Sequence, residues 1–456
     1  MMQKNDIVPI TIEDMGMNGE GIGKSGHYTL FVKDAIVGDK IMARITKAKK
    51  NYAYARVEKI LSPSKDRITP PCPVAGPCGG CQLQSLSYER QLEFKYNKVR
   101  QDLLRIGKVP EEVLDTVMEN IRGMEQPFRY RNKATYPIGS NRDGKPITGF
   151  YAGRTHTIIE TKDCLIGQEI NQEILGRILT YMEANQVMPY NETSEKGVLR
   201  HVLIRFGETT GEIMVCLVIN GRSLKNSTHL IEALKEIEGM TSISISINNE
   251  NTNVIMGEEI ITLWGSDFIT DCIGSIKFRI SPLSFYQINP KQTKVLYDLV
   301  LEMANLTGEE SIWDLYCGIG TISLFLSQKA KQVYGVEIVL DAICDARENA
   351  RINQITNVEF FVGRAEEIVP QKQKMYGHAE VIVVDPPRKG LDQSLISTMI
   401  EMRPERIIYV SCDPATLARD VGCLREGGYE LKRVVPVDQF GQTVHVECVV
   451  LMSRKI

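Results

Sequence analysis

Trp313-Asp314-Leu315-Tyr316-Cys317-Gly318-Ile319-Gly320-Thr321 runs from an apolar strand through a glycine turn into a helix. Glycines at such a junction let the backbone approach a ligand, and the helix start offers free N–H groups. Working outward, strands and helices alternate. Strands are expected at Ile312 to Tyr316, Gln332 to Glu337, Val358 to Val362, Val381 to Asp385 and Arg406 to Ser411. Helices are expected at Thr321 to Ala330, Val339 to Asn353 and Leu395 to Met402. This alternation predicts a parallel, doubly wound α/β sheet, whose ligands gather at the carboxyl ends of the strands.

The strand ends carry reactive residues. Val336-Glu337 follows Gly320 by 17 residues, and a carboxylate there can accept two hydrogen bonds from ribose hydroxyls. Ser323 occupies the third glycine position of a dinucleotide fingerprint. Asp-x-x-x-Gly-x-Gly with this acid is therefore the pattern of S-adenosylmethionine (AdoMet) binding more than of NAD binding. Val383-Val384-Asp385-Pro386-Pro387-Arg388-Lys389-Gly390 ends another strand, with two prolines stiffening the turn after Asp385. Amino-directed methyltransferases place an aromatic residue where Arg388 stands, so this loop need not bind an amino group. Ile407-Ile408-Tyr409-Val410-Ser411-Cys412-Asp413-Pro414 is an apolar run ending on a cysteine, and His445-Val446-Glu447 begins 33 residues after it. A thiolate and a carboxylate on neighbouring strand ends can attack an electron-poor ring and then remove a proton from it. The bland alternative is a structural cysteine with an unrelated glutamate. The only cations in view for lowering the thiol pKa are His445 and Arg388.

The 456 residues, 43% hydrophobic and 24% charged, suit a soluble globular protein of roughly two to four domains. The absence of a run of about 18 apolar residues argues against a membrane span. Met1 to Ile10 lacks the blocks of a signal peptide, so the cytoplasm is the expected location. Residues 1–110 hold 18 Lys+Arg against 11 Asp+Glu, whereas the remainder holds 36 against 46. A basic N-terminal part on an acidic body suggests a polyanionic partner. Residues 1–63 show short strand-like runs at Ile7 to Ile12, Tyr28 to Val32, Lys40 to Ile45 and Tyr52 to Val57, which read as a small β-barrel. Lys47, Lys49, Lys50, Tyr52 and Tyr54 mix cations with aromatics, suiting phosphates and stacked bases; an exposed hairpin is the alternative. Gly19 to Lys24 reads as a glycine-rich hairpin rather than a phosphate loop. Ser62 to Pro71 reads as a linker. A helix is expected from Tyr88 to Ile106, with Leu92, Tyr96, Val99, Leu103 and Ile106 on one face. Residues 128–280 read as mostly antiparallel strands with one or two helices, including a hairpin around Gly211.

Cys72-x5-Cys78-x2-Cys81 lies in a loop dense in Gly and Pro, which lets three thiolates turn toward one site. Cys164 is the best candidate for a fourth ligand. Four thiolates suit a [4Fe–4S] cluster or a structural zinc, and spacing alone does not separate them.

Over nearly its whole length the chain resembles the RNA uracil-C5-methyltransferase family, and in particular its iron–sulfur-bearing 23S rRNA 5-methyluridine members. The blocks that carry the likeness are Ser284-Phe285-Tyr286-Gln287-Ile288-Asn289, Asp-Leu-Tyr-Cys-Gly-x-Gly-Thr, Asp-Pro-Pro-Arg-Lys-Gly, Val-Ser-Cys-Asp-Pro and Gln442-Thr443-x-His445-Val446-Glu447. Gly441 departs from the Pro that many members carry. The resemblance implies three parts: a TRAM-like, OB-like RNA-binding barrel over 1–63, a central α+β domain with the cluster over 68–280, and a Rossmann-like AdoMet methyltransferase domain over 281–456. It implies that Gln287, Tyr316, Glu337 and Asp385 bind AdoMet, that Cys412 is the nucleophile and Glu447 the base, and that Cys72, Cys78, Cys81 and Cys164 hold a [4Fe–4S] cluster. RNA is the implied partner, 23S rRNA first and tRNA as the alternative. A non-catalytic RNA-binding iron–sulfur redox sensor and an amino-group methyltransferase are the competing readings; neither needs the full set Gln287, Glu337, Asp385, Cys412 and Glu447.

Overall fold

The computed structural model describes residues 2–153, 155–377 and 379–455. The chain divides into two units: Met1–Lys98 with Phe150–Ile159 and Phe440–His445, and Val99–Gly149 with Glu160–Gln439 and Val446–Ile456.

In the first unit, β1 (Ile7–Met15), β2 (Gly21–Ser25), β3 (Tyr28–Lys33), β4 (Lys40–Ala48) and β5 (Tyr52–Ser62) close into a barrel in the order β1-β2-β3-β5-β4. Period-two alternation buries Ile10, Ile12, Leu30, Val32, Ile41, Ala43, Ile45, Ala53 and Ala55 inside it. The glycine-rich stretch supplies β2, a strand that its lack of side chains hid. A Cβ on Gly23 would lie 2.4 Å from the Thr11 carbonyl oxygen, so only glycine permits this approach of β1 and β2. The expected linker after β5 is pinned to the barrel. Asp39, fully buried, accepts from Ser64 N at 2.9 Å, Ile36 N at 2.9 Å and the Arg67 guanidinium at 2.5 Å. Burial raises the Asp39 pKa, but Arg67 and the two N–H groups outweigh it and hold the carboxyl below its ordinary range.

α1 (Tyr88–Arg105) forms as expected. Val99 and Leu103 are buried, but Ile106 is 44% exposed, and Leu92 and Tyr96 are only half-buried. Toward its start the buried positions are polar instead. Gln91 Nε2 donates to the carbonyls of Leu83 (3.1 Å) and Leu86 (2.9 Å), and Lys95 Nζ to that of Phe440 (3.0 Å).

After α2 (Glu111–Val117) come β6 (Lys133–Ser140), β7 (Pro146–Tyr151), β8 (Ile158–Glu160), α3 (Ile170–Asn185), β9 (Leu199–Phe206), β10 (Ile213–Ile219), α4 (Ser227–Lys235), β11 (Met240–Ile247) and β12 (Glu259–Gly265). They build a sheet in the order β12-β11-β10-β9-β6-β7-β8. It is antiparallel at β6–β9, β9–β10 and β11–β12, with β10 and β11 parallel because α4 carries the chain back.

The hairpin β13 (Ile269–Ile273) and β14 (Ile276–Ile280) leads into α5 (Pro290–Ala304). The alternating region then unfolds as β15 (Ser311–Leu315), α6 (Thr321–Ser327), β16 (Gln332–Glu337), α7 (Leu340–Ile352), β17 (Val358–Val362), α8 (Ala365–Tyr376), β18 (Val381–Val384), α9 (Gln393–Met402), β19 (Arg406–Ser411), α10 (Pro414–Glu426), β20 (Tyr429–Val437) and β21 (Glu447–Arg454). Strand order is β17-β16-β15-β18-β19-β21-β20. The first five strands are parallel, as expected, and β21 and β20 close the edge antiparallel. Both faces are covered, which is why these strands read as unbroken apolar runs. No helix among the described residues is long and apolar enough to cross a membrane.

Arg67→Ala should cost about 3 kcal/mol in urea unfolding, since it strands a buried carboxylate. Because the Asp39 pKa is lowered on folding, that contribution is fully present above the ordinary carboxylate range and is lost as pH falls from there through the lowered folded-state value. A variant whose stability and acid sensitivity match the parent would contradict this account.

Candidate active site

Strand register decides which residues meet. Leu315 of β15 is paired with Val336 of β16 on one side and Val384 of β18 on the other. The next residues, Tyr316, Glu337 and Asp385, therefore leave the sheet at one level. On β19, Ser411 pairs with Cys448 of the antiparallel β21. That ladder ends there; Cys412 follows Ser411, Glu447 precedes Cys448, and the two lie within electrostatic reach of each other. An antiparallel strand starts where its parallel neighbours end, so a residue at the beginning of β21 joins the carboxyl edge.

The glycine turn is braced from behind. Asp314, fully buried, accepts from Ser323 Oγ at 2.5 Å, which gives the missing third glycine position its own task. Tyr297 OH donates to Thr321 Oγ1 at 2.8 Å. Tyr316 and Cys317 both direct their N–H groups to the Val336 carbonyl at 3.0 Å, and Tyr316 is held at φ 69°, an uncommon conformation for a bulky residue. Glu337 is oriented by the N–H of Gly318 on Oε2 (3.3 Å) and of Val339 on Oε1 (3.0 Å). Beyond it Ile338, Val339 and Leu340 are all more than half exposed. An apolar run beside an oriented carboxylate suits a nucleoside, with its ring on the former and its ribose on the latter. Sequence reading passed over this run, since exposure is invisible in an apolar stretch.

The Asp385 loop is clamped to α10. Asp420, buried, accepts from Leu391 N at 2.8 Å and Tyr409 OH at 2.7 Å, and pairs with Arg419 at 2.7 Å. Arg419 Nη2 in turn donates to the carbonyls of Lys389 and Leu391, both at 3.1 Å. Thr416 Oγ1 donates to Arg388 O at 3.2 Å. Gly390 turns at φ 74°, where a Cβ would lie 2.6 Å from both Arg419 and Asp420. Asp413 caps α10 by accepting from Ala415 N (3.0 Å) and Thr416 N (3.2 Å), which fixes the residue after Cys412.

Gln287 is half-buried just before α5, with its carbonyl held by Asn132 Nδ2 at 3.0 Å. Asn289 caps α5 and donates to Gln439 O at 3.1 Å. Gln439 Nε2 donates to Thr293 Oγ1 at 2.9 Å, and Gln292 Nε2 to Asp438 O at 3.0 Å. These buried amides tie the Gln287 segment to the end of the β20 arm; of them only Asn289 stood in a block noted from sequence.

The electrostatics are those of a crowded acid site. Burial pushes Asp385 up to about 7 and, with help from Asp385, Glu447 up to about 8. Burial together with the charges of Glu447 and Asp385 pushes the Cys412 thiol up to about 12. Arg388 acts the other way on both Glu447 and Cys412. Without a ligand this site favours neutral acids and a thiol.

The four cysteines expected to hold a cluster, Cys72, Cys78, Cys81 and Cys164, are all half-buried. Burial raises the Cys78 pKa; Gly80 N, 3.4 Å from its sulfur, lowers it, and Cys72 raises it further. Among the described residues no group of three or more His, Cys, Asp or Glu is drawn together as a metal site.

The family model described as tRNA (Uracil-5-)-methyltransferase matches residues 169–455, and the TRAM domain model matches residues 3–57. An uncharacterized RNA methyltransferase of Halalkalibacterium halodurans is 49% identical over 100% of this chain and 98% of its own length. Another, from Clostridium tetani, is 49% identical over 99% and 97%. Among solved structures, the Pyrococcus abyssi tRNA (uracil-54, C5)-methyltransferase in complex with S-adenosyl-L-homocysteine matches with a TM-score of 0.78 at 28% identity, covering 97% of this chain and 99% of that one. With its barrel, its strand-end site and these matches, the chain belongs to the RNA uracil-5-methyltransferase family and is an AdoMet-dependent methyltransferase.

Proposed function

We propose that the protein methylates C5 of uridine in 23S rRNA, with Cys412 as nucleophile, Glu447 as base, and Gln287, Tyr316, Glu337 and Asp385 holding AdoMet. The observation that supports this reading is that the β19–β21 ladder ends at Ser411 and Cys448, next to Cys412 and Glu447, with Cys412 in electrostatic reach of Glu447 and Asp385. AdoMet supplies an electrophilic methyl group on a positively charged sulfonium. Beside such a charge the carboxyls and the thiol each favour their ionised forms, reversing the neutral state of the empty site. C5 of uracil is too weak a nucleophile by itself. Addition of the Cys412 thiolate at C6 forms an S–C bond and moves the ring electrons onto C5 and O4. C5 then takes the methyl group in line, held there by orientation, as the S–CH3 bond breaks and its electron pair returns to sulfur, leaving a neutral thioether. Glu447 removes the C5 proton, the S–C6 bond breaks, and the C5–C6 double bond is restored. The base must be extruded to reach this pocket, at a cost of a few kcal/mol.

A [4Fe–4S] cluster on Cys72, Cys78, Cys81 and Cys164 is part of the same proposal, with zinc as the alternative. Supporting it are the thiol spacing, the Gly/Pro-dense loop and the half-burial of all four residues. No step of methyl transfer runs through it. The 23S target rests on the resemblance to cluster-bearing members. tRNA is the second reading, favoured by what the matched family model and the Pyrococcus abyssi enzyme are called.

Cys412→Ala should abolish methyl transfer while AdoMet binding persists, and Glu447→Gln should accumulate a covalent RNA adduct; activity in the first or no adduct in the second contradicts the roles. In ligand-free protein, alkylation of Cys412 followed by peptide mass spectrometry should be slow at neutral pH and rise about tenfold per pH unit, as the thiolate fraction does below a pKa near 12. A pH-independent rate between pH 7 and 9 would refute the raised thiol. Protein purified without oxygen should carry about four iron and four sulfide per chain; zinc alone would replace the cluster. Nucleoside analysis of separated RNAs from a deletion strain should show 5-methyluridine lost from 23S rRNA, and loss from tRNA alone would favour the second reading.

A further inference from the structure

β6 opens on Lys133, which the antiparallel register sets directly opposite Arg205 of β9. Like charges facing each other across a ladder repel. Both are also withdrawn from water, Arg205 at 2% exposure and Lys133 half-buried. Burial, reinforced by Arg205, pulls Lys133 down to about 8, and burial pulls Arg205 down to about 10. Neither has an ion-pair partner among the described residues. Arg205 directs Nη2 to the carbonyls of Ser284 and Pro282, yet its Nε is buried with no hydrogen-bond partner. A fold that only needed to hold the 282–288 segment would gain nothing from a second cation here.

The pair adjoins the proposed active site. Asn132, immediately before Lys133, donates its Nδ2 to Gln287 O at 3.0 Å and its N–H to Ile288 O at 2.9 Å. Its Oδ1 is likewise buried without a partner. Two facing cations beside a nucleotide-modifying centre call for an anion, and RNA brings one with every nucleotide. Phosphate contacts fix register without reading sequence, which an extruded nucleotide requires.

We propose that Lys133 and Arg205 form a phosphate site that takes the backbone phosphate next to the target uridine and so registers the extruded ring against the Gln287 segment. The inference rests on the RNA-methylation reading above. Lys133, the more exposed of the two, makes the contact, and Arg205 opposite it adds a second fixed positive charge.

The test is Lys133→Gln in the full-length protein, assayed with undermodified total RNA from a deletion strain over a series of salt concentrations. KM for RNA should rise about tenfold, the equivalent of one lost phosphate contact, and the slope of log KM against log salt should fall by about one. AdoMet affinity should be unchanged, and thermal stability should not drop, because a like-charge contact has been removed. A variant with unchanged RNA KM and salt slope would make the pair purely structural and overturn the proposal. Weakened AdoMet binding with unchanged RNA KM would assign the anion to the methionine carboxylate and overturn it equally. If the parent protein transfers no methyl group to uracil C5, the reading of function fails separately. Filter retention of the same RNA by parent and variant then still decides on the phosphate site, with equal retention counting against it.

Discussion

The structure depends on the antiparallel pairing of β19 with β21. In a wholly parallel sheet every strand end at the active edge is separated from its neighbour by a crossover helix. Turning one strand around brings a start to the same edge as the ends, and it does so through a ladder whose register is fixed at Ser411 and Cys448. Slipping that ladder by one residue would turn Glu447 to the other face of the sheet. The ladder thereby fixes the residues flanking Cys412 and Glu447 by main-chain hydrogen bonds.

Around this ladder the protein gathers groups that oppose one another. Asp385, Glu447 and Cys412 are all pushed toward their neutral forms, with Arg388 as the opposing cation. The cause is shared burial, to which the neighbouring acids add for Glu447 and Cys412. The loops around these residues are tied down by buried hydrogen bonds. Asp420 gathers Leu391, Tyr409 and Arg419, while Asn289, Gln292 and Gln439 cross-link two segments far apart in sequence. Leaving any one of these buried partners unmatched would cost about 1–3 kcal/mol.

In the barrel unit a single carboxylate has a comparable place. Asp39 draws Arg67 and Ser64 onto the barrel, so that a stretch of Ser and Pro that reads as a spacer is a fixed part of the fold. The start of α1 likewise exchanges the expected apolar stripe for Gln91 and Lys95, which are buried because main-chain carbonyls meet them.

By itself the sequence determined the alternating βα region, four of the five barrel strands, the Gly211 hairpin and the span of α1, because apolar periodicity and turn residues are local properties. It also singled out Glu337, Asp385, Cys412 and Glu447 through short strand-end motifs, while Gln287 and Tyr316 entered only through the family resemblance. The tertiary structure alone decided how they meet. β2 stayed hidden because glycines carry no periodicity, and the reversal of β21 because strand direction depends on a partner. The bond of Asp420 to Leu391, the amide links of Gln439 and the facing of Lys133 with Arg205 join residues separated by 29 to 150 positions. No local pattern encodes a hydrogen bond whose partner is chosen only when the sheet closes.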